Sequence, residues 1–211
     1  MPNWCGNTLT LTHSDPEMIR RAKAAFANGE FLNEFVPVPK DLQIVAGTVG
    51  DPDEQARLEA QEKYNRATHG YANWYDFCVN EWGTKWDVGD GNGIQTWDDH
   101  ELVVYFDSAW SPPIRAYEKL EDLGFTVYAT YYEPGMSYAG IYDEHGDTYY
   151  DLSDMDSGDV QQRLPQELDD AFGISESMAE YEAENEDEVT TWYKEGVEET
   201  GLTPHEKPNA K

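Results

Sequence analysis

Three tryptophans and one lysine are the residues whose types and spacing could form a ligand site. Trp82, Lys85 and Trp86 fall within five consecutive positions, and Trp110 follows in a second aromatic block. Aromatic faces beside a cation are components of sites for nucleotides and single-stranded nucleic acid. Such a site also needs several clustered cations, and acidic residues surround this one. We therefore expect the tryptophans to fill a core with Lys85 covering them; an aromatic and cationic patch is the alternative.

Carboxylates form the second set of candidate residues. Duplex DNA carries one negative charge per ~1.7 Å of axis, and a helix with many carboxylates offers a comparable density to the groove of a DNA-binding protein. The acids expected to contact a basic partner are Glu180, Glu182, Glu184, Glu186, Asp187 and Glu188, with Asp154, Asp156 and Asp159 as a second cluster. The alternative is a solvated face that provides solubility only.

Sequence motifs for catalysis and metal binding are weak. Asp87, Asp90 and Asn92 lack the alternating ligands and the closing glutamate of an EF-hand calcium loop, so a hairpin turn is the preferred interpretation. Glu133 and Asp143 could form a carboxylate pair across two strands. The five histidines show neither HxH nor HExxH spacing. We expect no catalytic residue, no metal and no cofactor, with a carboxylate-based enzyme as an alternative.

The whole chain is strongly acidic. Its 43 Asp and Glu residues against 14 Lys and Arg give a formal net charge of −29 over 211 residues. Residues 1–150 carry 25 acidic and 10 basic side chains, whereas residues 151–211 carry 18 and 4. Such a charge repels nucleic-acid phosphates and anionic lipids and attracts basic proteins. We expect a basic protein partner and no direct contact with nucleic acid; a surface adapted to high salt is the alternative.

Signals for membrane insertion and for disulfides are missing from the sequence. No apolar run approaches the ~20 residues that span a bilayer, and the opening residues do not resemble a signal peptide. Cys5 and Cys78 are too few for a disulfide framework, so they are expected to be reduced. We predict a cytoplasmic protein that contacts no membrane.

Strands alternate with helices along the first 152 residues. Apolar alternation and turn signals predict strands at 8–12, 84–88, 94–97, 102–106, 125–132, 138–142 and 148–152, and helices that begin near Pro16 and Ile114. Pro37 and Pro39 restrict Phe31–Val38 to an edge strand or an extended segment. The predicted fold class is α+β, a ferredoxin-like split βαβ antiparallel sheet with two packed helices and a helical insertion at about 50–82.

The strand pattern stops after residue 152. A weak apolar period predicts a helix over 160–172 despite Pro165, and capping and composition predict a second helix over 175–196. Residues 203–211, with two prolines, are predicted to be disordered. The expected organisation is a ferredoxin-like domain at 1–152, an acidic helical extension at 153–202 and a disordered tail at 203–211.

Four sequence blocks resemble a known family. They are Met1-Pro2-Asn3-Trp4-Cys5-Gly6-Asn7, Trp82-Gly83-Thr84-Lys85-Trp86-Asp87, Ala109-Trp110-Ser111-Pro112-Pro113 and Tyr132-Glu133-Pro134-Gly135-Met136-Ser137-Tyr138-Ala139-Gly140. Together, over residues 1–152, they resemble the YubB ferredoxin-like family of plasmid and phage proteins. The resemblance implies a ferredoxin-like fold and a mobile genetic element in a bacterial host. It implies no biochemical activity and no catalytic residues.

Charge and setting together give the functional hypothesis. The protein is expected to be an acidic, non-enzymatic binding protein that mimics nucleic acid and inhibits a host DNA-binding, RNA-binding or defence protein. The alternative is a small binding module that contacts a protein or ligand through an aromatic sheet face. That face would comprise Tyr128, Tyr132, Tyr138 and Tyr149.

Overall fold

The computed structural model describes residues 3–185 of the chain. The chain divides into two compact units, one ending at Ser153 and one beginning at Asp154. The predicted acids Glu186, Asp187 and Glu188 and the predicted tail at 203–211 lie outside the described residues.

The first unit is built on a six-stranded antiparallel sheet. Its strands are β1 (Trp4–Thr12), β2 (Ile94–Trp97), β3 (Glu101–Ala109), β4 (Thr126–Glu133), β5 (Tyr138–Asp143) and β6 (Gly146–Asp151), in the spatial order β2-β3-β1-β4-β5-β6. Every neighbouring pair is antiparallel. The predicted α+β class with an antiparallel sheet is therefore confirmed. The β5–β6 hairpin extends the sheet beyond the four strands of a split βαβ arrangement.

Five α-helices lie within the described residues of this unit. They are α1 (Pro16–Ala27), α2 (Phe31–Phe35), α3 (Pro52–His69), α4 (Trp74–Glu81) and α5 (Ile114–Asp122). The first begins where the sequence predicts, because the Asp15 side chain accepts a hydrogen bond from the Glu17 amide and Pro16 fits the first turn. Helices α3 and α4 lie within the predicted insertion at about 50–82.

The core lies between one face of the sheet and the helices. Strand register places Leu9 opposite Val104 and Leu11 opposite Leu102, so these four side chains share a face. They form one buried cluster with Ile19, Ala22 and Phe26 of α1 and Tyr117 and Leu120 of α5. The period-2 and period-3.6 patterns of the sequence thus meet in a single apolar layer.

Two strand predictions are wrong. Phe31–Val38 begins with α2, where an edge strand or an extended segment was expected, because the buried Phe31 and Leu32 pack in the core and Asp87 caps the helix. Thr84–Val88 is not a strand; it is an irregular segment that pairs with no neighbour in the sheet. Its Thr84 hydroxyl instead donates to the Ala109 carbonyl at the end of β3. Hydrogen bonds from side chains to the backbone therefore hold this segment in place of the β-ladder that a strand would form.

The second unit is helical over its described length. It contains α6 (Ser157–Arg163), α7 (Gln166–Phe172) and a helix over 174–185, here α8. The single helix predicted over 160–172 is broken because Pro165 forces the preceding Leu164 into an extended conformation with ψ 148°. None of the described helices is long and apolar enough to cross a membrane.

Candidate functional site

Lys85 lies among three exposed or half-exposed aromatic rings. Its Nζ is 4.5 Å from the centroid of Trp86, 5.2 Å from that of Trp110 and 5.8 Å from that of Tyr75. Distances below about 6 Å are those of cation–π attraction. The side chains of Trp86 and Trp110 are 38% and 42% exposed. The structure therefore brings Lys85, Trp86 and Trp110 together at the surface, which corrects the expectation that these two tryptophans fill the core.

Trp82 does not belong to this patch. Its side chain is 4% exposed, and its indole Nε1 donates a hydrogen bond of 2.8 Å to the Val36 carbonyl. A buried indole needs such an acceptor. Trp82, which follows the last residue of α4, therefore joins the core as expected for the tryptophans.

The segment that follows Trp82 is fixed to the next block of the chain. The Ser111 hydroxyl donates to the Gly83 carbonyl at 2.6 Å, and the Ala116 amide donates to the Trp82 carbonyl at 3.2 Å. Trp110 has a positive φ of 68°, which is uncommon for a residue with a Cβ. Its amide donates to Asn3 at 2.9 Å, and its carbonyl accepts from the Tyr138 hydroxyl at 2.5 Å. These contacts hold the Trp110 ring beside Lys85.

A cleft of about 460 Å³ lies between the segment 86–95 and strand β3. Trp4 and Trp86 line it, with ring centroids 5.9 Å apart and planes tilted by 38°. Tyr105 adds a third aromatic ring. Its charged lining residues are Asp87, Asp90 and Asp107, and none of the lining residues, all of which the structure describes, is basic. We name this aromatic and acidic concavity the Trp4–Trp86 cleft.

The three carboxylates of the cleft differ in their bonding. Asp87 accepts backbone hydrogen bonds from Leu32, Asn33 and Val88, and its burial raises the pKa of the carboxyl above its usual value. Asp90 accepts from two backbone amides of the 3₁₀ turn Gly91–Gly93. The exposed Asp107 accepts a 3.4 Å hydrogen bond from the Tyr105 hydroxyl. Asp107 therefore keeps the most bonding capacity for a ligand.

Asp87 thus caps α2, and Asp90 caps the 3₁₀ turn, where it accepts from the Asn92 amide. The predicted hairpin turn is wrong, because Thr84–Val88 is not a strand and pairs with no neighbour. Within residues 3–185, no three His, Cys, Asp or Glu side chains are grouped as metal ligands would be. Glu133 and Asp143 do not pair: Glu133 is opposite Tyr138 and Asp143 is opposite Gly146, so they lie at opposite ends of the β4–β5 ladder. Glu133 instead accepts from the Gly135 and Met136 amides of the adjoining turn.

The four tyrosines of the predicted aromatic face lie on two faces of the sheet. Tyr138 is opposite Glu133, so it points to the side opposite Tyr132 and Tyr128. Tyr138 stacks with Tyr149 at 5.3 Å between centroids. The expected single aromatic face is therefore wrong; its members were assigned without the register of β5.

The described acids of the second unit divide into capping and exposed groups. Glu182 accepts from both the amide and the hydroxyl of Ser157, Asp156 accepts from the Asp159 amide, and Asp159 pairs with Arg163 at 3.0 Å. Asp154, Glu180 and Glu184 are exposed. Glu180 and Glu184 follow the exposed Glu176 at four-residue intervals on α8. These three glutamates share one helix face, about 6 Å apart along its axis.

Comparison with known proteins gives little support to any assignment. No family model matches the chain, and no curated protein matches it. Among solved structures, the protein api92 from Yersinia pseudotuberculosis, with family model DUF1281, aligns with 71% of this chain and 98% of its own length at 13% identity and a TM-score of 0.36. A similarity at that TM-score supports no conclusion about fold or function.

Several residues of the cleft were missed from the sequence. Trp4 was noted only within the opening block and Tyr105 only as part of the strand predicted at 102–106, whereas Asp107 was not singled out at all. Their register carries the missing signal: Trp4 pairs with Ala109, so the start of β1 lies beside the end of β3. Residues 105 and 107 alternate onto the same face of β3. Sequence alternation indicates that face, but not its neighbour at residue 86.

Proposed function

We propose that this protein is an acidic, non-enzymatic binding protein whose partner is a basic protein. The observation that carries the proposal is the Trp4–Trp86 cleft, in which exposed indole rings and carboxylates line one concavity on a chain of net charge −29. Tryptophan and tyrosine are enriched among the residues that dominate binding energies. Carboxylates beside them favour a cationic partner, and the charge of the whole chain speeds the encounter with such a partner.

The partner proposed is a host protein that binds nucleic acid, in the cytoplasm of a bacterial cell. The strand order β2-β3-β1-β4, with helices α1 and α5 in the two crossovers, supports the ferredoxin-like assignment for this part of the sheet. The resemblance to the YubB ferredoxin-like family of plasmid and phage proteins, carried by the four sequence blocks, supports a mobile-element setting. A basic nucleic-acid-binding site is the surface that best complements so acidic a chain.

Mimicry of nucleic acid by the second unit is the more specific form of this proposal. The exposed stripe Glu176, Glu180 and Glu184 on α8 favours it. Its spacing of about 6 Å is wider than the 3.4 Å per charge of one DNA strand, so the stripe alone has about half that density. We therefore propose that the stripe helps to attract the partner protein. The cleft provides the contacts that need a complementary shape.

Capture of a partner at two salt concentrations tests the proposal. The immobilised full chain is incubated with bacterial lysate at low and at raised salt, and each retained protein is purified and tested for direct binding. We expect a basic nucleic-acid-binding protein whose affinity falls steeply with salt and whose DNA or RNA complex the chain dissociates. Binding that is unchanged by salt, or a partner that binds nucleic acid and this chain together, contradicts the proposal.

The mimicry form has its own variant. Replacement of Glu176, Glu180 and Glu184 by glutamine removes three charges from one helix face and leaves the caps at Ser157 intact. We expect weaker competition with nucleic acid and slower association. If the variant competes with nucleic acid as well as the wild type does, the proposal of a basic partner still holds, but the α8 stripe is not part of the contact.

A further inference from the structure

We propose that the Trp4–Trp86 cleft binds an arginine side chain presented by the partner protein. This inference rests on the proposed function and names the chemical group that enters the cleft. The guanidinium ion lies against the indole rings and forms its hydrogen bonds with Asp107. Its chemistry follows from the walls of the cleft, from its carboxylates and from the absence of basic side chains among its described lining residues.

The aromatic walls are suited to a flat cation. Trp4 and Trp86 are 47% and 38% exposed, and both rings line the cleft. One of these rings already attracts a cation, because the Lys85 Nζ lies 4.5 Å from the Trp86 centroid. Lys85 is not a lining residue of the cleft. The concave side is available to a cation from another molecule.

Asp107 supplies the anionic end of the site. Its carboxylate is exposed, and the 3.4 Å hydrogen bond from Tyr105 engages only Oδ1. A guanidinium presents parallel N–H donors that match the two oxygens of a carboxylate. Asp87 and Asp90 are engaged by backbone amides, so they contribute negative potential and not the principal ligand atoms.

The cleft selects against other classes of ligand. Three carboxylates repel the phosphate of a nucleotide, although aromatic walls would accept its base. A lysine ammonium is a compact and strongly hydrated charge, whereas guanidinium is planar, more weakly hydrated and stacks on aromatic rings. An apolar side chain would leave the desolvated carboxylates without a partner. Arginine uses both the rings and Asp107, and it is abundant in surfaces that recognise nucleic acid.

Two glycines allow the segment that forms one wall of the cleft to approach β3 and α1 closely. A Cβ on Gly93 would lie 2.2 Å from the Tyr105 carbonyl, and one on Gly89 would lie 2.4 Å from the Phe26 carbonyl. The glycine-rich segment therefore packs directly on β3 and α1 without intervening side chains. This close approach places Asp90 beside the aromatic walls.

Nuclear magnetic resonance of the full chain tests the inference. The probe is the tripeptide Gly-Arg-Gly, acetylated and amidated at its ends, and the observed signals are the tryptophan indole N–H groups. We expect the peptide to shift the signals of Trp4 and Trp86 and to leave Trp97, an exposed tryptophan outside the cleft, unmoved. The matched peptide with neutral citrulline should produce no such shift, and Gly-Lys-Gly should bind more weakly.

A matched pair of variants tests whether Asp107 is the carboxylate that binds the arginine peptide. Asp107→Asn should raise the dissociation constant of the arginine peptide about two- to fivefold, the effect of losing one exposed charge pair. Glu101→Gln is the control, because Glu101 is exposed on the same strand and face as Asp107 but does not line the cleft. Equal weakening by both variants would show attraction by overall charge and overturn the inference. Equal binding of the citrulline peptide would also overturn it.

The outcomes separate this inference from the proposed function. A chain that binds a basic partner in a salt-dependent manner, with Trp4 and Trp86 unmoved by the arginine peptide, retains the proposed function and loses the arginine site. A chain that binds the peptide in the cleft but retains no basic protein retains the site and loses the proposed partner.

Discussion

Asp87 caps helix α2 from a position far along the chain: its Oδ1 accepts a hydrogen bond of 2.6 Å from the Leu32 amide. Its Oδ2 accepts from Asn33 at 3.0 Å. The first turn of a helix has unpaired amides, and a carboxylate there is favoured by both hydrogen bonding and the helix dipole. One side chain thus fixes α2, which buries Phe31 and Leu32, and anchors the segment that forms the Trp4–Trp86 cleft.

Removal of this cap should destabilise the first unit. We expect Asp87→Ala to lower the free energy of unfolding by about 1–2 kcal/mol, because the α2 amides lose their acceptors. Urea unfolding measures the change. Asp122→Ala is the control, since Asp122 is an exposed aspartate of the same unit. A loss of the same size in both variants would mean that Asp87 acts through charge alone.

The Asp87 carboxyl should also give a distinct pH dependence. Burial raises its pKa above the ordinary 3.8 in the folded state, against the opposing effect of the backbone hydrogen bonds. A folded pKa above the unfolded one means that the folded state binds the proton more tightly between these values. The stability of the wild type relative to Asp87→Asn should therefore rise as pH falls from 7 towards 4. A relative stability that falls over this range, measured by urea unfolding, contradicts the expectation.

Local signals predicted much of the fold. Caps such as Asp15-Pro16 and the alternation at Leu9 and Leu11 act within a few residues, so helix α1 and strand β1 were found from the sequence. Helix α2 was missed because its cap, Asp87, is 55 residues from Leu32. Its prolines indicated an extended segment, and tertiary contacts outweighed that preference.

The candidate site was predicted less well because it depends on neighbours distant in sequence. All three tryptophans near Lys85 were expected in the core, with a surface patch as the alternative. Trp82 is in the core, whereas Trp86 and Trp110 are exposed. Trp4 could not be placed beside Trp86 without knowing that β1 pairs with β3. Composition indicated the acidic character, while only the structure divides capping acids such as Glu182 from exposed ones such as Glu180.

Two glycines of one turn should respond differently to the same substitution. A Cβ on Gly93 would lie 2.2 Å from the Tyr105 carbonyl and 3.0 Å from the Phe26 ring, whereas one on Gly91 would meet nothing within 4 Å. We expect Gly93→Ala to cost about 1–3 kcal/mol through forced backbone displacement. Gly91→Ala should stay within about 0.5 kcal/mol of wild type. Thermal unfolding compares them, and equal stability of the two variants would disprove the close approach.

Both cysteines should be unreactive in the folded protein. Burial raises the pKa of the Cys5 and Cys78 thiols to about 12. The thiolate is the reactive species, so very few of these thiols are ionised at pH 8, and access to them is restricted as well. A disulfide reagent such as DTNB should label neither residue in native buffer and both in denaturing urea. Rapid labelling of one thiol in native buffer would show that its burial is transient.

Two glutamates on α8 separate charge from capping in the second unit. Glu182 accepts hydrogen bonds of 2.9 Å from the Ser157 amide and 2.7 Å from its hydroxyl, which joins α8 to the start of α6. Glu180 is exposed on the same helix. Glu180→Gln and Glu182→Gln remove the same charge, so any difference between them reports the loss of the charge-assisted bonds to Ser157.

We expect Glu182→Gln to accelerate hydrogen exchange of the Ser157 amide several-fold, because opening then costs less free energy. Glu180→Gln should leave that rate unchanged, and if it accelerates exchange equally, the second unit is governed by charge density and not by this cap.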